Sequence, residues 1–170
     1  MTFKVRKLAK DDDRALFRSG NPDLDRFFAR YAGQNQFRHH IGTTYVAVND
    51  TEQIVGFATV AASELAPEVA VVASSRLRHP YPVPVLRLAR MAVDVTHARL
   101  GVGGALLRAV FAIAEQMAND VGCVGVVVDA KPDAVGFYEK LGFVPLQLVA
   151  GALGDRPQTT PMFIELQQTR

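Results

Sequence analysis

The 170-residue chain contains no tryptophan, a single cysteine and no run of eighteen or more apolar residues. One cysteine excludes a disulfide framework. Its place in the apolar run Gly122-Cys-Val-Gly-Val-Val-Val128 reads as a buried small hydrophobe rather than a nucleophile or ligand. The missing apolar run excludes a membrane-spanning helix. The opening Met-Thr-Phe-Lys-Val-Arg-Lys has charge but none of the apolar stretch of a secretory signal. A cytoplasmic location is therefore expected. Charge is nearly balanced, with 19 basic against 17 acidic residues and a formal net of +2. His39 and His40 lack partners at metal-ligand spacing, so no zinc site is expected. No Gly-Lys-Ser/Thr follows the chain's glycine turn, which excludes a nucleoside-triphosphate P-loop.

What is present is an ordinary globular composition, 49% hydrophobic and 21% charged. It predicts one domain over residues 1–170 with a substantial core. The most informative stretch is Leu88-Ala-Arg-Met-Ala-Val-Asp94, followed by Gly101-Val-Gly-Gly104 at the head of an apolar helix. A strand, a glycine turn and a helix start leave the first helical N–H groups without internal partners, beside the positive end of the helix dipole. Phosphate or pyrophosphate suits such a place. A dinucleotide fingerprint would need a third glycine where Leu106 stands.

The periodicities predict strands at 3–8, 43–48 and 54–62, the last two forming a hairpin across Asn49-Asp-Thr-Glu52. Asn21-Pro22 predicts a helix start, with Asn as cap and Pro at the first position. That helix runs to about Phe37, with Leu24, Phe27, Phe28 and Tyr31 on its buried face. A short helix near 66–73 precedes a loop stiffened by Pro80, Pro82 and Pro84. A strand at 85–93 leads to a helix at 101–118, whose stripe Val102, Leu106, Ala109, Ile113 and Met117 packs on a sheet. A strand at 123–128, a helix at 133–141 and strands at 143–149 and 162–166 complete the order. This predicts an α/β (α+β) fold with a mixed sheet and helices on both faces.

The strand, the glycine turn, the apolar strand and Phe137-Tyr-Glu-Lys-Leu-Gly-Phe143 together resemble the GCN5-related N-acetyltransferase (GNAT) superfamily. The resemblance implies a mostly antiparallel central sheet of six to seven strands and acetyl-CoA as co-substrate. Arg99, Leu100, Gly101, Val102, Gly103 and Gly104 would hold its pyrophosphate. Met91, Ala92 and Val93 would bond the pantetheine arm, with Phe137 beside it and Tyr138 next to the thioester sulfur. Ala98 departs from the family's usual Gln or Arg; Arg99 follows one position late, and weaker cofactor affinity is expected.

A narrower likeness lies in Phe17-Arg-Ser-Gly-Asn-Pro-Asp-Leu-Asp25, Phe28-Ala-Arg-Tyr-Ala32, Thr44-Tyr-Val-Ala-Val48, Tyr81-Pro-Val-Pro84 and Thr160-Pro-Met-Phe163. These segments resemble the acetyltransferase toxins of toxin–antitoxin pairs, with Ser19 where a cysteine is usual. The resemblance implies acetylation of the α-amino group of aminoacyl-tRNA, a ribbon-helix-helix antitoxin as partner, and a homodimer.

The residues themselves add chemistry. Tyr138, a phenol of ordinary pKa about 10, can protonate a departing thiolate whose conjugate acid lies near 8.5. Phe137 and Phe143 read from the pattern alone as core. A backbone N–H near Ala92 or Val93 is an oxyanion candidate. The strand at 85–93 carries Arg87 and Arg90 but no acid before Asp94, so an evident base is missing. An α-amine, with pKa of about 7.7–8.0, needs less help than a lysine at about 10.4. Glu64 or a water chain is the alternative base. Asp129 is expected to cap the next helical segment. Arg76, Arg78, Arg87 and Arg90 are the candidates for tRNA phosphate. Arg87 and Arg90 cannot point the same way on an ideal strand. Two other readings compete: transfer to a small amine or protein N-terminus, and a non-catalytic CoA-binding module.

Overall fold

The computed structural model describes residues 2–146 and 159–167. Its strands are β1 (Lys4–Lys7), β2 (Thr43–Val48), β3 (Ile54–Leu65), β4 (Val83–Val93), β5 (Gly125–Ala130), β6 (Val144–Pro145) and β7 (Thr160–Glu165). The helices are α1 (Pro22–Arg26), α2 (Ala32–Gln34), α3 (Pro67–Ala73), α4 (Val102–Asp120) and α5 (Val135–Lys140). The fold is mixed α/β with a seven-stranded sheet of order β1-β2-β3-β4-β5-β7-β6, and its registered pairs are antiparallel. The described residues fall into two compact units, one from Met1–Ala61 and Leu88–Ile113, the other from Ala62–Arg87 and Ala114–Arg170.

In the first unit, β2 and β3 form the predicted hairpin, with Asn49 N–H bonded to the Gln53 carbonyl. Phe28 stacks face to face on Phe57 at 4.4 Å, while Phe17 meets both rings edge-on. The edge-on contacts of Phe17 are of the kind that aromatic quadrupoles favour. The helix begins as predicted: the Asn21 side chain accepts from the Asp23 and Leu24 N–H groups. It then departs from α geometry, with π-type turns at Phe27–Tyr31 and Asn35–His39 on either side of α2. The i→i+5 winding carries Tyr31 out to solvent and buries Ala32 in its place. The predicted face was therefore wrong at Tyr31. Arg14 donates to the Phe28 carbonyl at 2.9 Å across this turn, and its guanidinium occupies the space a Cβ on Gly33 would need.

In the second unit, β7 lies between β5 and β6. Gly125 is where the sheet closes most tightly: a Cβ there would sit 2.3 Å from the Ile164 carbonyl and 2.5 Å from the Phe163 ring. Leu65, Ala70, Leu77, Val85, Leu146 and Phe163 form its core. Strand β6 covers Val144–Pro145, and residues 147–149 of the predicted strand lie outside the described residues. The buried positions of α4 are Val102, Ala105, Leu106, Leu107, Val110 and Ala114. Ala109, Ile113 and Met117 are only half-buried. The buried face runs along the row Val102, Leu106, Val110 and Ala114, flanked by Ala105 and Leu107.

Candidate active site

The first unit contains the glycine turn. Strand β4 ends at Val93, and Asp94 N–H bonds the Val55 carbonyl. Asp94 is buried, and its carboxylate accepts from the Thr96 N–H and hydroxyl and from the Arg18 N–H. Burial alone would raise its pKa, but those hydrogen bonds outweigh it and leave the group below the usual carboxylate range. Asp94 thus anchors the start of the turn and is a poor base. The signal for this role was present in Asp94-Val-Thr96, an acid followed two residues later by a hydroxyl, which favours an Asx turn.

Beyond it, Arg99 and Gly101 both adopt positive φ, +64° and +89°. Glycine is favoured at the second of these because the left-handed region crowds a Cβ. The first bond into α4 runs from Ala105 N–H to the Gly101 carbonyl at 3.1 Å. The N–H groups of Val102, Gly103 and Gly104 precede it and have no partner within the helix. Nothing lies within 4 Å of where a Gly101 Cβ would stand, and only the Arg108 guanidinium approaches Gly104. An open approach to these donors is what a pyrophosphate requires. Beneath the turn, Gly56 on β3 meets Val102, Leu106 and the Ala92 carbonyl, which ties the helix start to the strand. Of the predicted strand residues, Ala92 is buried while Met91 and Val93 are half-buried, and Leu100 is exposed. Arg90 is exposed, with its guanidinium 4.0 Å above the Phe27 ring.

The second unit contains Tyr138. Helix α5 ends in a Schellman motif: Phe143 N–H reaches the Tyr138 carbonyl, Gly142 N–H reaches that of Glu139, and Gly142 has φ of +100°. The hydrophobic contact that accompanies such motifs is the edge-on packing of Phe143 against Tyr138, with centroids 5.3 Å apart. The Leu-Gly-Phe part of the motif therefore fixes the tyrosine. The residue is 5% exposed, and among the described residues its hydroxyl makes no side-chain hydrogen bond. Burial pushes its pKa up to about 12, so at neutral pH it carries its proton. Phe143 is core as predicted. Phe137 is not, because it stands 41% exposed on the turn of α5, edge-on to Tyr138.

The basic residues divide. Arg87 is held by Asp129, and Arg76 by Glu165 at 2.7 Å. Asp129 therefore pairs with an arginine 42 residues away instead of capping a helix, a contact that no local pattern announces. Arg78 and Glu64 are exposed with no ion-pair partner among the described residues. A cavity of about 460 Å³ near Arg76, Cys123 and Glu165 includes neither Tyr138 nor Phe137. Cys123 is buried, and burial raises its pKa. Among the described residues no cluster could hold a metal ion, and no helix is long and apolar enough to cross a membrane.

The anion-ready glycine turn of the first unit and the protonated tyrosine of the second are each features that the resemblance to acetyltransferases implies. The acetyltransferase (GNAT) domain model matches residues 40–145, and the chain belongs to that family. A tRNA-acetylating toxin of Mycobacterium tuberculosis is 33% identical over 141 residues, covering 81% of this chain and 82% of that protein. Among solved structures, AtaT complexed with acetyl-methionyl-tRNAfMet shares the fold at a TM-score of 0.80 and 22% identity, covering 96% of this chain and 95% of that one. A Tyr→Phe variant of KacT does so at a TM-score of 0.81 and 22% identity, covering 97% and 95%.

Proposed function

We propose that this chain is an acetyl-CoA-dependent toxin that acetylates the α-amino group of aminoacyl-tRNA and so blocks translation. It works as a single domain in the cytoplasm, as a homodimer, and is restrained by a ribbon-helix-helix antitoxin. The substrate assignment follows the 33% identity to a tRNA-acetylating toxin. The observation that carries the chemistry is Tyr138, a buried phenol that keeps its proton and whose hydroxyl has no hydrogen-bond partner among the described residues.

Acetyl-CoA supplies the acetyl group as a thioester, whose C–S bond breaks as the amine nitrogen bonds to the carbonyl carbon. The N–H groups of Val102, Gly103 and Gly104 bind the pyrophosphate, flanked by Arg99 and Leu100. Met91, Ala92 and Val93 hold the pantetheine arm, with a backbone N–H from Ala92 or Val93 serving the carbonyl oxygen. Phe137 offers an exposed apolar face beside Tyr138. Tyr138 donates its proton to the leaving sulfur, and the proton that nitrogen sheds on becoming the amide passes to water, from which the phenolate recovers its own. A phenol near 12 is a weak acid toward an ordinary thiol of about 8.5, but the burial that raises the phenol also raises a thiolate formed beside it.

Carboxylates suited to deprotonating a lysine are scarce. Asp129 is engaged by Arg87, Asp94 is held below the usual range, and Glu64 faces solvent. An α-amine, partly neutral at pH 7, suits such a site. Phosphate contacts then come first from Arg78; Arg76 and Arg87 are available only by leaving their carboxylates, and Arg90 by leaving the Phe27 ring. The test is acetyl transfer from labelled acetyl-CoA to a mixed aminoacyl-tRNA pool. Label on the aminoacyl group, lost roughly 10²-fold in Tyr138→Phe, is expected. Transfer to small amines alone would refute the substrate class.

A further inference from the structure

Residues 78–82 form an exposed loop with a composition and geometry that the acetyl-transfer chemistry leaves unused. Tyr81 is 68% exposed, a large aromatic surface turned to solvent. It does not sit on a flexible loop. Pro80 and Pro82 flank it, each fixing its own φ, and each biases the residue before it toward extended backbone. His79 and Tyr81 are both such residues. The Tyr81 N–H donates to His79 Nδ1 at 3.3 Å, and the two rings lie 5.7 Å apart at 49°. Next to them Arg78 is exposed and takes no ion-pair partner among the described residues, unlike Arg76 and Arg87 in the same unit.

We infer that Tyr81, supported by His79 and Arg78, is a stacking platform for an unpaired base in the single-stranded 3′ end of the RNA substrate. A held aromatic face, with an exposed arginine three residues before it that has no ion-pair partner among the described residues, matches the chemistry of one base and its phosphate. Single-stranded RNA is recognised in this way, by stacking on aromatic rings with cations on the backbone. A double helix offers no such base face, because its bases are stacked on each other. The proposal rests on the aminoacyl-tRNA reading, in which the amine is carried at the end of an unpaired strand. It assigns Tyr81 to substrate capture and not to acetyl transfer.

The absence of tryptophan gives a direct assay. In full-length Tyr81→Trp the only indole is at the platform, and stacking of a base on it quenches its fluorescence. A short single-stranded RNA ending in CCA is expected to quench saturably, and a blunt two-strand RNA duplex is not. Absence of quenching by the single strand, or equal quenching by the duplex, would overturn the proposal. So would an indole that responds only to rising protein concentration, which would mark a self-association surface. In turnover, Tyr81→Ala is expected to raise KM for aminoacyl-tRNA roughly 5- to 150-fold with kcat and melting temperature unchanged. Tyr81→Phe, which keeps the aromatic face, is expected to stay within about threefold of wild type. A Tyr81→Ala variant with wild-type KM overturns the platform while leaving the substrate reading intact. A wild-type chain that acetylates no aminoacyl-tRNA overturns that reading instead, and the quenching assay remains readable without turnover.

Discussion

Substituting Gly56 by alanine should disturb the cofactor turn from below without touching it. The added Cβ would lie 2.7 Å from Val102 Cγ1, 3.1 Å from Leu106 Cδ1 and 3.2 Å from the Ala92 carbonyl oxygen. Carbon atoms rest at about 3.5–4.0 Å, so the first turn of α4 must retreat by about 1 Å. Val102 directly follows Gly101, and the three N–H donors move with it. Overpacking of this kind costs about 1–3 kcal/mol, offset by about 0.4–1 kcal/mol from the stiffer unfolded chain. A net loss of about 1–2 kcal/mol lowers the melting temperature by roughly 3–6 °C for a domain of this size. Acetyl-CoA affinity should fall about tenfold or more, measured by calorimetry beside the melt. Gly101→Ala is the contrasting case: its Cβ meets nothing within 4 Å, and its cost is the strain at φ of +89°. A Gly56→Ala variant that melts and binds acetyl-CoA like wild type would refute the coupling between β3 and the turn.

Three further outcomes are expected. Tyr138 has a folded pKa near 12 against about 10 unfolded, so its neutral form favours the folded state, and stability falls as pH rises from about 10 to 12; in Tyr138→Phe the total loss across that range should be smaller by about 2–3 kcal/mol in urea melts, and an unchanged loss contradicts the burial argument. The Arg6 guanidinium holds Asp12 below the usual carboxylate range; the stability this confers is present above the unfolded carboxylate pKa and lost as pH falls through the lowered folded value, so acid unfolding of Asp12→Asn should begin from a lower plateau with a shallower slope. Gly125→Ala should cost about 3 kcal/mol, because the Cβ meets backbone that cannot rotate away; a denaturation midpoint matching wild type would show that β5 and β7 pair more loosely than described.

The sequence made some parts of this molecule readable because their causes are local. The Asn21 cap, the hairpin at 49–52, the proline-led α3 and the glycine turn each depend on residues within a few positions of one another. The helix ending that fixes Tyr138 is equally local. What was not readable depends on distant partners or on a change of helical winding. The π-type turn moves Tyr31 off the buried face, and ordinary 3.6-residue periodicity has no term for that shift. The engagement of Arg87 by Asp129 and of Arg76 by Glu165 spans 42 and 89 residues. Only the fold shows that Arg76 and Arg87, two of the four candidate arginines, are held by carboxylates. The anchoring role of Asp94 lies between these cases: its turn is local, but its bond from the Arg18 N–H is not.

The position of β7 between β5 and β6 has a consequence during synthesis. Residues 125–130 and 144–145 leave the ribosome before residues 160–165, which belong between them. Until Met162 and Phe163 arrive, the valine-rich edge of β5 has its ladder groups unpaired on that side. An apolar open edge is the usual starting point for pairing with the wrong chain. The second unit is therefore completed by insertion and not by growth at an edge, and a chain cut short before residue 160 would keep its glycine turn and its tyrosine yet leave β5 and β6 without the strand that joins them.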